Sequence, residues 1–308
     1  VVTVGNNFTM TAAASKVVTE TINQVGGGNG KLAVTLNAAT DTNEDLTSIN
    51  GDAINSVTVA DNLTFTGTLH GSVATTVANG VTLTTTAAKA TGKTINEADA
   101  TDATTAITAL HSTVSANLGS ITTNSVTAAA TVATDGAVNF LGTLGKAVVT
   151  VTGGDGGGND IFNVDGATMN TSSFVVNGNA VLQGTAAKLA GVAVSGTGTA
   201  AVTALHSTDD ADLSGLTTTS VTAAATATDA TISFTGNLGK AAVAITGGNG
   251  GGNDIFNVDG ATMGTATFTV AENNTLQGTA AKLAGVTASG AGTAAVTALH
   301  STDDADLS

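Results

Sequence analysis

The chain has 308 residues and a formal net charge of −15, with 39 Gly and no Cys, Pro, Trp, Tyr or Arg. With 8 Phe as its only aromatic residues, it does not have the composition of a core built on large side chains. The acidic balance argues against nucleic acid or membrane insertion and suits solubility or cation binding, and no apolar run approaches the ~20 residues of a membrane span.

Residues 1–64 read as an N-terminal β-rich, capping region. Lys31–Leu36 and Ser56–Ala60 are β-prone, and Phe8–Val25 is expected to be a helix that covers the end of the fold. No signal peptide is visible at Val1. A start without Met and a stop inside a repeat at Ser308 suggest a mature segment of something longer. Residues 65–139 form a degenerate short repeat, with a second helix expected over Asn96–Leu110. Residues 140–233 form a full repeat and 234–308 a truncated one. Gln183–Ser214 recurs 94 residues later as Gln277–Ser308, changed only at Ala193/Thr287, Val194/Ala288 and Thr197/Ala291. Gly145–Met169 recurs in the same register as Gly239–Met263.

Within these copies, strands are expected at Ala147–Val151, Asp160–Val164, Ser173–Val176, Val192–Ser195, Ala200–Leu205, Val221–Ala225 and Thr231–Phe234. Gly, Asn or Asp usually separates them, and apolar residues often alternate with Thr. The degenerate copy discriminates between two folds. From Phe140 to the Thr185-Ala-Ala-Lys188 motif takes 45 residues, and from Phe234 to Thr279 also 45, but from Phe65 to Thr86 only 21. The loss is close to a quarter of the repeat. An immunoglobulin-like sandwich does not tolerate such a loss, whereas a solenoid gains or loses whole coils because each coil touches only its neighbours. The fold class is therefore all-β: one continuous parallel β-solenoid of roughly 23 residues per coil, four coils per repeat. Equivalent residues then stack into ladders of Asn or Thr.

The strongest motif is Gly153-Gly-Asp-Gly-Gly-Gly-Asn-Asp-Ile-Phe162, repeated at Gly247–Phe256. It resembles the calcium-binding nonapeptide of RTX-type bacterial exoproteins, departing from it at the first position, where Asp155 or Asn249 replaces Gly. This resemblance implies Ca²⁺ held by Asp155, Asn159 and Asp160 in one copy and by Asn249, Asn253 and Asp254 in the other. Ca²⁺ takes six to eight oxygen ligands, and glycine turns bring carbonyls inward. Phe162 and Phe256 are expected to point into the coil. At ~4.8 Å per coil, Asp160 and Asp254 lie about 19 Å apart and share no ion, so Asp165 and Asp259 are the local residues expected to complete each site. A second acidic cluster, Asp209, Asp210 and Asp212, repeated as Asp303, Asp304 and Asp306, is a further candidate for Ca²⁺ at a coil corner.

His111, His206 and His300 recur once per repeat, too far apart to share a metal, and read as hydrogen-bonded coil corners. No nucleophile constellation accompanies them. A regular T-x-T in every coil, the mark of ice binding, is not seen. The cysteine-free, Arg-poor, Thr/Gly/Asp-rich composition resembles exported surface-layer proteins and large repeat adhesins of the same RTX type. The resemblance implies an extracellular, cell-surface structural protein and not an enzyme. It forms a layer or filament with other copies of itself, with cell-surface polysaccharide as a further partner; the alternative is the stalk of an adhesin.

Overall fold

A coil of alternating apolar and Thr residues buries one side of each strand only if another coil stacks on it. In the computed structural model this is how the chain folds: an all-β parallel β-solenoid of about 13 turns with few helical residues. The structure describes residues 1–25, 29–49, 54–99, 101–154, 160–227, 229–247, 254–299 and 305–307. It divides into two compact units. The first comprises Val1–Thr131, Leu141–Thr150 and Ala167–Ser172; the second comprises Val132–Phe140, Val151–Gly166 and Ser173–Ser308.

In the first unit, Thr9–Ala13, Lys31–Leu36, Ile54–Val59, Thr75–Val77 and Ile95–Glu97 form a five-stranded sheet in that order, every pair parallel. A second ladder runs from Leu63–Thr64 through Thr82–Thr86 and Thr104–Thr108 to Ser125–Thr131. Leu32, Val34 and Leu36 point inward on one strand and Val126, Ala128 and Ala130 on another, while the residues between them face outward. Period-two alternation is what a half-buried strand requires.

In the second unit, Ala137–Asn139, Asp160–Asn163, Ala180–Gly184, Thr199–Val202, Ser220–Ala227, Ala242–Gly247, Thr267–Val270 and Ala288–Gly290 form an eight-stranded sheet in chain order. Thr231–Ser233, Asp254–Asn257, Asn274–Gly278 and Thr293–Val296 form a four-stranded one. Away from the strands, Gly191 N–H donates to Asp212 O, and single bridges join Asp212 to Asn237 and Asn237 to Thr262. These contacts are 21, 25 and 25 residues apart, so coil length varies about the value expected from the repeat. Amide stacking is present too: Asn163 Nδ2 donates to Gln183 Oε1 at 3.2 Å and Asn257 Nδ2 to Gln277 Oε1 at 3.1 Å.

The Thr-Ala-Ala-Lys motif makes a single helical turn at a corner: Ala87–Ala90, Ala186–Leu189 and Ala280–Leu283. Each turn ends at a left-handed glycine two residues on, Gly92, Gly191 and Gly285, with φ of +68°, +70° and +69°. That conformation is costly for any residue with a Cβ. It aims the glycine N–H at the next coil, where Asn117 O, Asp212 O and Asp306 O accept it.

The two expected helices are not formed. Phe8–Val25 contains the strands Thr9–Ala13 and Ile22–Gln24 with a three-residue 3-10 turn, Ala14–Lys16, between them. It belongs to the coils themselves and does not cap them as a helix. Asn96–Leu110 contains the end of Ile95–Glu97 and the strand Thr104–Thr108. Ala- and Thr-rich segments fit either period. The choice is made by parallel partners such as Lys31–Leu36 and Thr82–Thr86, which satisfy the backbone from outside the segment.

Candidate metal centre

Asp160 and Asp254 each open a strand whose alternate residues face inward, so the carboxylate and the phenyl two residues later enter the coil together. Asp160 is fully buried, Asp254 is 2 % exposed, and Phe162 and Phe256 are fully buried. Each ring stacks on the Phe of the preceding coil: Phe162 on Phe140 at 5.7 Å and Phe256 on Phe234 at 6.0 Å. A carboxylate in such surroundings needs several partners, and the described residues supply only one each. Gly154 N–H donates to Asp160 Oδ2 at 2.7 Å, and Asp229 N–H donates to Asp254 Oδ1 at 2.6 Å. Among the described residues, Asp160 Oδ1 and Asp254 Oδ2 have no hydrogen-bond partner.

The two copies differ at the residue stacked on the aspartate. The ladder sets Asp160 beside Ala180 and Asp254 beside Asn274. Asn274 is 2 % exposed, and its Nδ2 donates to Ala271 O at 3.3 Å and Glu272 O at 3.0 Å. Those carbonyls fix the amide orientation, and Asn274 Oδ1 is left buried and without a partner among the described residues. It lies with Asp254 Oδ2 over the same glycine. A methyl group on Gly247 would meet Asn274 Oδ1 at 2.5 Å and Asp254 Oδ2 at 2.6 Å, inside any tolerable contact. At Gly153 the methyl would meet Asp160 Oδ2 too closely and Ala180 N at 3.1 Å. The glycines before each nonapeptide therefore leave room for oxygens. Two unpartnered acceptors side by side in a dry interior are what a cation stabilises.

Asp155, Asn159, Asn249, Asn253, Asp303 and Asp304 lie outside the described residues, as does His300. Asp165 and Asp259 each bond to the following coil. Asp165 Oδ1 accepts Thr185 N–H at 2.7 Å and Asp259 Oδ1 accepts Thr279 N–H at 2.6 Å. They pin one coil to the threonine that opens the next helical turn. Asp209, Asp210 and Asp212 sit on an exposed turn. Asp210 accepts the Thr208 hydroxyl at 2.7 Å, and Asp212 Oδ1 accepts Ser214 N–H at 3.0 Å. The Ser214 hydrogen bonds hold the Asp212 carboxyl below its usual value. Asp306 is exposed, and its carbonyl accepts Gly285 N–H. Among the described residues no three His, Cys, Asp or Glu side chains converge on one point. His111 Nδ1 accepts Thr131 N–H at 3.0 Å and His206 Nδ1 accepts Thr226 N–H at 3.5 Å, so both bond to the backbone of the following coil.

Asn274 was not singled out from the sequence. The available signal was the divergence between copies, Ala180 against Asn274, but only the coil register shows that this position touches the aspartate. Among the described residues no helix is long and apolar enough to cross a membrane. No family model, curated protein or solved structure matches the chain.

Proposed function

We propose that this chain is an extracellular structural building block, a solenoid that assembles with further copies into a surface layer or filament and takes up calcium as it folds. The observation that carries the calcium part is the pair of buried, unpartnered oxygens, Asp254 Oδ2 and Asn274 Oδ1, gathered over Gly247. These residues would hold the ion in the second copy, and Asp160 would do so more weakly in the first. Calcium would supply positive charge to a carboxylate that the fold otherwise buries with a single hydrogen bond. Because the unfolded chain has no such site, binding free energy becomes folding free energy.

The structural part rests on the architecture. Neighbouring coils of the repeats are bonded to one another through Gly191, Asp165 and His206 among others. Such a design suits length and stacking. Thermal melts and electron micrographs of the purified chain, with millimolar Ca²⁺ or with chelator, test the reading. The expected result is a higher Tm and ordered assemblies in calcium. A calcium-stabilised chain that stays monomeric at high concentration favours the adhesin stalk. No change in either readout removes calcium from the reading.

A further inference from the structure

Asparagine is a thermolabile residue, most of all before glycine. A glycine has no Cβ to shield its amide nitrogen, and that nitrogen can attack the carboxamide of the asparagine before it. Among the described residues the pair occurs at Asn29, Asn79 and Asn177. At Asn29 the carboxamide is held at both ends: Asn7 N–H donates to its Oδ1 at 2.9 Å, and its Nδ2 donates to Asn7 Oδ1 at 2.7 Å. At Asn79 the side chain donates from Nδ2 to Asp99 Oδ2 at 3.3 Å, and Gly80 N–H donates to Asp102 Oδ1 at 2.6 Å. A carboxylate acceptor makes that bond strong and keeps the proton on nitrogen.

Asn177 is held less firmly. It ends the strand Ser173–Asn177 and is half-buried, and among the described residues its carboxamide has no hydrogen-bond partner. Gly178 is exposed, with φ of +59°, and a methyl group on it would meet nothing within 4 Å. A neutral group holds its N–H, the Thr197 hydroxyl oxygen of the next coil, at 3.0 Å. The second repeat has neither half of this arrangement. Ala271-Glu272 stands in place of Asn177-Gly178, and Ala291 in place of Thr197. Thus one of the few changes between Gln183–Ser214 and Gln277–Ser308 removes the hydroxyl where no Asn-Gly pair faces it.

We infer that Asn177 is a modification site, where the chain deamidates itself, and that Thr197 is the brake on the reaction. Gly178 N gives up its proton to solvent and bonds to Asn177 Cγ; the Cγ–Nδ2 bond breaks and ammonia leaves. Water then opens the cyclic imide at one or other carbonyl, which leaves aspartate or isoaspartate. The balance is amide plus water to acid plus ammonia. Thr197 slows the first step because the attack must break the bond to its hydroxyl oxygen. Either product adds a negative charge. Isoaspartate also routes the backbone through one extra carbon in the corner that leads to Ala180, the residue beside Asp160.

Peptide mass spectrometry of the full chain, incubated at mildly alkaline pH, tests this. In the folded protein, conversion at Asn177 is expected to outrun conversion at Asn29 and Asn79. Thr197→Ala should speed it about threefold to tenfold, the range that one hydrogen bond is worth, and Thr197→Ser, which keeps the hydroxyl, should hold the wild-type rate. Thr197 is exposed and the second repeat already carries Ala291 in its place, so the variant is expected to fold, which circular dichroism checks. In denaturant, where the next coil is gone, wild type and Thr197→Ala should convert Asn177 equally fast. A folded Thr197→Ala chain that converts Asn177 no faster than wild type overturns the brake. An Asn177 that converts no faster than Asn79 in the folded chain overturns the site.

Discussion

Asp41 and Asp254 are both buried carboxylates inside parallel coils, and they are held in opposite ways. Asp41 is saturated by its own chain. Its Oδ1 accepts Ser15 N–H at 2.8 Å, and its Oδ2 accepts Asn37 N–H at 2.9 Å and Asn37 Nδ2 at 3.1 Å. Asp254 accepts one N–H, and its other oxygen lies near a second unpartnered oxygen, that of Asn274. The difference separates a carboxylate that closes a turn from one that requires a further positive partner. Asp160, with one N–H and Ala180 beside it, stands between the two.

The largest effect expected from breaking this comparison is at Asp41. Replacing it with Ala strands backbone N–H groups that each cost about 1–3 kcal/mol when buried unpaired. The loss of about 3 kcal/mol should be the same in calcium and in chelator, as read from denaturant melts; rescue by calcium would show that Asp41 too is a metal ligand.

A smaller effect with a change of sign is expected for Asp254→Asn. In chelator the variant should melt at or above wild type, because a buried charge is gone and the new amide can donate toward Asn274 Oδ1. In millimolar calcium it should melt below wild type. Curves that do not cross refute the ion at this position.

Exchanging the neighbours sharpens the contrast between copies. Asn274→Ala should weaken calcium binding about tenfold, near 1.4 kcal/mol, and Ala180→Asn should strengthen the first site, both measured by titration calorimetry. Equal isotherms for all three proteins would remove Asn274 from the centre.

The smallest effect is the acid limb of the stability curve. Burial pushes the Asp41 carboxyl up, but hydrogen bonds from Ser15 and Asn37 outweigh it, and the net value lies below the ordinary 3.8. A depressed carboxylate contributes stability that is fully present above 3.8 and lost as pH falls through its lower folded value. Asp41→Asn should flatten that part of the profile, whereas Asp212→Asn, on an exposed turn, should leave it almost unchanged.

Much of the fold was legible because strand alternation and turn chemistry are local. Lys31–Leu36 forms with the expected bounds, and Ser173–Asn177 and Thr231–Ser233 differ from expectation by one residue at one end. Ala180–Gly184 was not foreseen, and the helices expected at Phe8–Val25 and Asn96–Leu110 were misassigned. In each case the deciding partner lies about 20 residues away, as Thr9 pairs with Lys31 and Val181 with Thr199. Asp160 and Asp254 stood out through their glycine-rich surroundings. Asp165 and Asp259 share that neighbourhood in sequence, yet their carboxylates turn to the backbone of the next coil.

By itself, the sequence determined a parallel stacked fold. A 94-residue unit repeated with few changes and without Trp, Tyr or disulfides buries its thin apolar faces by leaning on its neighbours, and the missing quarter of the first copy marks the coil as the unit of change. Only the tertiary structure decided which residues meet. A step of 20 residues from one strand to the next sets Asn274 beside Asp254 and Ala180 beside Asp160. Side-chain direction repeats every two residues along one strand, but contact across coils depends on the length of every corner between them.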